Sequence, residues 1–131
     1  MNGRSLNSTN VGYCKTKKIR MGKYDKIWGK LVRERDGKCL VCGRIDTLAA
    51  HHYIGRGEKA TRFELENGIS LCVSHHTFNN DFAAHRTPKD FKAWFERVYP
   101  ERAESMKKKA LQTMSERKAI EEFKERYEKG L

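Results

Sequence analysis

Two short Cys/His pairs constrain the fold of this chain more than any other feature of its sequence. They are Cys39-x2-Cys42 and Cys72-x2-His75, and 29 residues lie between them. Two residues between ligands let one tight turn present both side chains to the same ion, which is the spacing of a four-ligand structural zinc site. The sequence therefore predicts a zinc centre on Cys39, Cys42, Cys72 and His75, with His76 as the alternative to His75.

A second set of polar side chains lies between and just after these pairs, and a zinc site does not need it. Its members are imidazoles and amides: His51, His52, Asn67, His76 and Asn80. In a helix, His76 and Asn80 would project from the same face, because they are four positions apart. Adjacent residues of a strand point to opposite sides of the sheet. His51 and His52 can therefore contribute to one site only if the end of the strand is bent, or if the two residues have different roles.

The composition allows only a small hydrophobic core. The 131 residues correspond to one domain, 37% of them are hydrophobic, and the mean hydropathy is −0.86. A core of this size usually needs a staple, and zinc would supply one. Two of the four cysteines form one knuckle, which is typical of metal-bound thiolates in a reducing cytoplasm rather than of disulfides.

The net charge indicates what kind of partner the protein binds. Lys and Arg number 28 against 17 Asp and Glu, a formal net charge of +11. This favours a polyanionic partner, with nucleic acid ahead of membrane, although a basic protein with solvated surface charges would have the same composition. No apolar run approaches about 18 residues and the N-terminus lacks the apolar segment of a signal peptide, so we expect no membrane span and a cytoplasmic location.

Three regions differ in pattern. Residues 1–20 are predicted to be a flexible basic arm that carries Cys14 as a surface thiol. Residues 21–100 hold the main domain. Residues 101–131 are predicted to form one charged helix that folds back on the domain, pairs with a second chain as a homodimer or protein partner, or lies on DNA; the pattern leaves these open.

Periodicity and turn signals predict the elements of the main domain. Helices are expected at 22–35, 74–84 and 88–99, and the strands of a hairpin at 47–54 and 68–71. Gly37 is expected to cap the first helix, and Thr87-Pro88 to start the third with a capping hydroxyl. Phe78 and Phe82 are expected to face the core.

The stretch 36–85 resembles the HNH endonucleases, also called ββα-metal nucleases. That family has a His at the end of a first strand, an Asn before the second and a His at the start of the following helix. Here Asn67 follows His52 by fifteen positions and His76 follows Asn67 by nine, spacings similar to those of the nuclease colicins. With its added knuckles the chain looks more like small phage-encoded HNH proteins, although that family usually carries Cys where this chain has His75. The resemblance implies an α+β fold in which a zinc-stapled ββα motif is flanked by terminal helices.

The resemblance also implies roles for the second set. His52 would be the general base, since a neutral imidazole can take a proton near pH 7, and Asn67 would hold the His52 loop in register. His51, His76 and Asn80 would bind a catalytic Mg²⁺, Mn²⁺ or similar divalent ion. Arg56 is a candidate phosphate clamp, and His85 is expected to be an ordinary surface residue.

The function expected from these observations is metal-dependent hydrolysis of DNA phosphodiester bonds, by nicking or by double-strand cutting. Such an enzyme would work in the bacterial host cell if a phage encodes it. The alternative is a non-catalytic, zinc-containing module that binds nucleic acid. It would share the charge and the knuckles, but it would not need His52, Asn67 and His76 together.

Overall fold

The computed structural model describes the backbone of residues 15–128 and the side chains of residues 22–127. Cys14 and most of the predicted arm lie outside the described residues. The chain forms an α+β fold in which a small antiparallel sheet is surrounded by helices. None of the helices in the described part is long and apolar enough to cross a membrane.

Helix α1 (Lys15–Asp36) is the longest element and covers one face of the sheet. It begins seven residues before the predicted 22–35 helix. It ends as predicted, because Gly37 has a φ of +70° and donates its N–H to the carbonyl of Arg33. The buried side chains of Trp28 and Val32 attach the helix to the rest of the domain.

The sheet has two antiparallel strands, β1 (Leu48–His52) and β2 (Gly68–Cys72). Their register pairs Leu48 with Cys72 and His52 with Gly68, so the predicted hairpin is correct. The long connection, predicted as a loop, contains α2 (Lys59–Arg62) and a 3-10 turn (Leu65–Asn67).

A close contact between α1 and β2 depends on a glycine. A Cβ added to Gly68 would lie 2.5 Å from ring carbon Cζ2 of Trp28 and 2.5 Å from Cγ2 of Val32. Any side chain at this position would push α1 away from the sheet.

The helix predicted at 74–84 is only one wide turn, Ser74–Phe78, closed by a hydrogen bond from Asn79 N–H to the Ser74 carbonyl. The side chain of Asn79 ends it, because its Oδ1 accepts from the N–H groups of Asp81 and Phe82. The prediction that Phe78 faces the core is wrong, since its side chain is 62% exposed.

Helix α3 (Pro88–Val98) follows the prediction and buries Phe91 and Phe95 against the second face of the sheet. The predicted Thr87 cap is wrong. Its hydroxyl instead bonds backwards, donating to the Ala83 carbonyl and accepting from the Ala83 N–H.

The C-terminal region is not the single long helix that the sequence predicted. It consists of α4 (Pro100–Ala110), α5 (Glu116–Phe123) and a final wide turn (Lys124–Glu128). Ser115 starts α5, because its hydroxyl accepts from the Lys118 N–H. The break lets α5 fold back so that Phe123 packs against Tyr24 and Phe63, in the same core cluster as Trp28 and Val32. The structure shows this region folded back on the domain, which is one of the three predicted arrangements, and pairing with a second chain or with DNA stays a prediction.

Candidate metal centres and basic cleft

Cys39, Cys42, Cys72 and His75 form a cluster that can hold a metal ion. Their Sγ and ring nitrogen atoms all lie within 4.8 Å of one another. The Cys42 and Cys72 sulfurs are 3.8 Å apart, far beyond the about 2.05 Å of a disulfide. Sulfurs about 2.3 Å from a tetrahedral zinc ion would also be about 3.8 Å apart. The cluster therefore has the size and ligand types of a structural zinc site.

Local backbone geometry brings these four ligands together. Gly43, with a φ of +84°, turns the chain after Cys42, and its N–H donates to the Cys39 carbonyl at 2.8 Å. Cys72 ends β2, and His75 lies in the wide turn that follows at once. The Nδ1 atom of His75 is 3.3 Å from the Cys72 sulfur and 3.8 Å from the Cys39 sulfur.

The environment of Cys39 favours the thiolate that a metal requires. Burial alone would raise the pKa of this thiol. Hydrogen bonds from the backbone N–H groups of Cys72, Cys42 and Val41 outweigh burial, so the pKa of Cys39 is lowered.

A second cluster consists of His51, His76 and His85. One ring nitrogen from each residue lies within 4.8 Å of the other two, and the Nε2 atoms of His76 and His85 are 3.1 Å apart. The sequence placed His51 and His76 at one site but left His85 at the surface, where it is indeed exposed. The structure therefore adds His85 to the two predicted ligands.

The wide turn and the segment after it explain how His85 reaches this cluster. The chain reverses after Asn79, and the N–H groups of Ala84 and His85 donate to the carbonyls of His75 and His76. Had the helix continued to residue 84, His76 and His85 would have been on opposite sides of it. The sequence signal that could have revealed the reversal is the polar run Asn79-Asn80-Asp81, which favours a turn.

Neighbouring histidines serve different clusters. His75 contacts the cysteines, whereas His76 stacks edge to face with His51 and His85. The alternative in which His76 replaces His75 among the cysteines is therefore not what the structure shows.

Two imidazoles of the second cluster, those of His51 and His76, have lowered pKa values. Burial, followed by repulsion from His76, His85 and His52, lowers the pKa of His51 to about 3. Burial and the nearby His85 also lower the pKa of His76. Neutral imidazoles offer the unprotonated nitrogens that a cation needs.

Asn80 occupies a different place from the one expected of a metal ligand. It lies beyond the wide turn, and its side-chain oxygen accepts a hydrogen bond from Nη1 of Arg86 at 2.9 Å. The expectation that Asn80 shares a helical face with His76 fails because the helix ends at Phe78.

His52 lies on the opposite face of β1 from His51. Its ring stacks on Trp28, with 3.9 Å between centroids and 7° between planes. Its Nε2 donates to the carbonyl of Arg62 at 2.9 Å, so Nδ1 is the nitrogen that remains to accept a proton. Burial lowers the pKa of His52 to about 4, and the neutral form is therefore present at pH 7.

Asn67 is fully buried and fixes the segment that follows His52. Its Oδ1 accepts from the Ile54 N–H and its Nδ2 donates to the Ile54 carbonyl, both at 2.9 Å. Its own carbonyl accepts from the N–H of Tyr53, the residue after His52. Three hydrogen bonds thus hold the end of β1 in position.

A cleft of about 730 Å³ is lined by His51, His52, His76 and His85. All five residues of β1 contribute to it, as expected of a cleft that follows the strand edge away from β2. Residues of α1 form one wall, and His76 and His85 lie on the other side. Because the cleft follows an edge, it reaches His51 on one face and His52 on the other. Both histidines therefore line one cleft without a bend in the strand.

The cleft carries net positive charge. Lys26, Arg33 and Arg56 line it, with Asp25 as its one carboxylate among the described lining residues. Asp25 is already paired with the buried Arg62, whose Nη2 lies 2.7 Å away. Arg56 is held only loosely by Asp25, at 3.4 Å, and its side chain is 62% exposed.

No protein-family model, curated protein or solved structure matches this chain.

Proposed function

We propose that this chain is a metal-dependent DNA endonuclease of the HNH (ββα-metal) type that hydrolyses phosphodiester bonds. The observation that carries the proposal is the cluster of His51, His76 and His85 in a basic cleft that His52 also lines. This histidine cluster is separate from the cysteine cluster, and the two clusters share no residue. The order of two antiparallel strands followed by a helical turn supports the proposal, because a ββα motif has its elements in the same order.

His52 is suited to activate water in this cleft. Its tautomer is set by the bond to the Arg62 carbonyl, which leaves Nδ1 to take the proton from an attacking water. A phosphate anion nearby would raise the pKa of His52 from its low value and strengthen it as a base. The stack on Trp28 and the hydrogen bonds of Asn67 keep its ring in one orientation.

His51, His76 and His85 would hold the divalent ion. When bound there, the ion polarises the scissile phosphate and stabilises the charge on the leaving oxygen. Three imidazoles suit Zn²⁺, Ni²⁺, Co²⁺ or similar transition metals better than Mg²⁺, which prefers oxygen ligands. We therefore propose a transition-metal ion, with Mn²⁺ ahead of Mg²⁺ among the ions expected from the sequence.

Arg56 is the proposed clamp on the phosphate. Because Arg62 already neutralises Asp25, the exposed guanidinium of Arg56 can leave its long contact and fork onto two phosphate oxygens at small cost.

The test is conversion of supercoiled plasmid to nicked or linear DNA in the presence of Mg²⁺, Mn²⁺, Ni²⁺, Co²⁺ or Zn²⁺. His52→Ala should slow cleavage by about 100-fold or more, the contribution of a positioned general base. Zinc content and thermal unfolding of the variant serve as controls for folding.

Two results would oppose the proposal. If the wild-type chain binds plasmid but cuts it with none of these ions, the non-catalytic zinc module becomes the better description. If His52→Ala cuts as fast as wild type, the protein is still an endonuclease, but a group other than His52 is the general base.

A further inference from the structure

One wall of the cleft comes from α1, which lies outside the stretch that resembles a nuclease. Lys26, Gly29 and Arg33 of this helix line the cleft, and their spacing of three and four residues puts them on one stripe of the helix. Lys26 and Arg33 are seven residues apart, which is about 10.5 Å along the axis. Two cations at this separation, each on a long side chain, can contact two different phosphates of one DNA strand.

These two cations are not used by the fold. Within the described residues, neither Lys26 nor Arg33 forms an ion pair, whereas Arg35, Arg62, Lys109 and Arg126 each contact a carboxylate. A charge that lines a cleft and has no carboxylate partner is available to an anionic ligand.

Gly29 makes room for one of them. A Cβ at Gly29 would lie 3.1 Å from Nη1 of Arg33 and 3.7 Å from Cβ of Ala50. The second distance is ordinary contact, so the backbone has space for alanine, but the guanidinium would have to move. A glycine inside a helix is otherwise unfavourable, and its presence here keeps Arg33 against the helix surface inside the cleft.

We propose that Lys26 and Arg33 bind two backbone phosphates of the DNA strand in the cleft, on the α1 side of the bond to be cut. The position of the DNA strand in the cleft rests on the proposed nuclease function, because that function requires the scissile phosphate to lie near His51, His76 and His85. The two cations position the strand and do not take part in the chemistry.

The experiment compares two double variants that remove the same charge from the same helix. Lys26→Ala with Arg33→Ala changes the cleft, whereas Lys23→Ala with Lys30→Ala changes two exposed lysines that do not line it. Both are made in the His52→Ala background, so that a duplex of about 20 base pairs stays intact. Binding is measured from 50 to 200 mM salt without added divalent ion.

Each lost phosphate contact lowers the slope of log K against log salt by about 0.9 on duplex DNA. The cleft variant should therefore lose about 1.8 from the slope, and the control pair should keep a slope close to that of the parent. An unchanged slope in the cleft variant, or equal losses in both variants, would overturn the proposal.

The two proposals can fail separately. If the wild-type protein cuts plasmid but the salt slope of the cleft variant equals that of its His52→Ala parent, the nuclease stands and the α1 phosphate contacts do not. If no ion supports cutting but the slope falls as expected, the phosphate contacts stand without the nuclease. A parent protein whose duplex binding is independent of salt would overturn the phosphate contacts outright.

Discussion

The Nε2 atoms of His76 and His85 lie 3.1 Å apart, although nine residues separate them in the chain. Two nitrogens each about 2.1 Å from one ion are about 3.0 Å apart at a right angle and about 3.4 Å apart in a tetrahedron. The observed distance lies between these values. On its other side, Nδ1 of His76 is 3.2 Å from the hydroxyl of Thr77, and donating to that oxygen would leave Nε2 free for an ion.

His85→Ala is therefore expected to weaken divalent-ion binding at the second cluster and to abolish cleavage. Isothermal titration of zinc-loaded protein with Co²⁺ should show a loss of about 100-fold or more in affinity, which exceeds the 10- to 100-fold typical of removing only a supporting group. Asn80→Ala is the matched comparison, because Asn80 bonds Arg86 and does not line the cleft. If Asn80→Ala weakens Co²⁺ binding as much as His85→Ala does, the prediction from sequence that Asn80 binds the ion with His51 and His76 is the better one.

The contrast between these two residues shows what sequence spacing can and cannot predict. Cys39 and Cys42 are brought together by one tight turn, and that requirement is local enough to be read from spacing. His85 reaches His76 only because the Asn79 side chain ends the helical turn and the chain then runs backwards. Spacing alone could not choose between that reversal and a continued helix.

The same limit applies to the C-terminal region. Its apolar residues fit one helix, but the break before Ser115 turns α5 back onto α1. The apolar pattern indicated which residues are buried, including Phe123. It did not indicate how the backbone runs from one buried residue to the next. Packing of Phe123 against Tyr24 and Phe63 decides that path, and these residues are 99 and 60 positions away in sequence.

The cysteine cluster should hold one tightly bound zinc ion per chain. Cys72→Ser keeps the side-chain volume but removes a thiolate at the end of β2, so it should lose the zinc and most of the cooperative unfolding transition. Metal analysis of purified protein and thermal unfolding measure the two effects. Cys14→Ser is the control, because the sequence predicts a surface thiol there and the cluster already has four ligands in Cys39, Cys42, Cys72 and His75.

Gly68→Ala should destabilise the domain by about 1–3 kcal/mol, the usual cost of overpacking. The added Cβ would meet Trp28 and Val32 at 2.5 Å, and the resulting shift of Trp28 would disturb its stack on His52. Urea unfolding should show the loss, and plasmid cleavage should slow more than the loss of folded protein explains. Gly57→Ala is the control, because nothing lies within 4 Å of a Cβ there. Equal stability of the two variants would show that α1 is not held closely against β2.

Glu64 links the C-terminal region to the domain and should make its stability depend on pH. Its carboxylate contacts Nη1 of Arg126 at 2.7 Å and Nζ of Lys109 at 2.8 Å, and it is 13% exposed. Burial alone would raise its pKa, but the hydrogen bonds from Arg126 and Lys109 outweigh burial and lower it. Glu64→Gln should cost about 1–2 kcal/mol at pH 7, since hydrogen bonds to charged groups are worth about that much at a partly exposed site.

The pH dependence follows from the direction of that pKa. A carboxyl whose pKa is lower in the folded chain stabilises it above the unfolded value of about 4.3, and this contribution disappears as the pH falls through the folded value. The difference in urea midpoint between wild type and Glu64→Gln should therefore be constant from pH 8 to pH 5 and shrink below about pH 4.3. Both proteins share any loss of zinc in acid, so the difference isolates Glu64. A difference that grows as the pH falls would mean that the contacts to Arg126 and Lys109 do not stabilise the charged form.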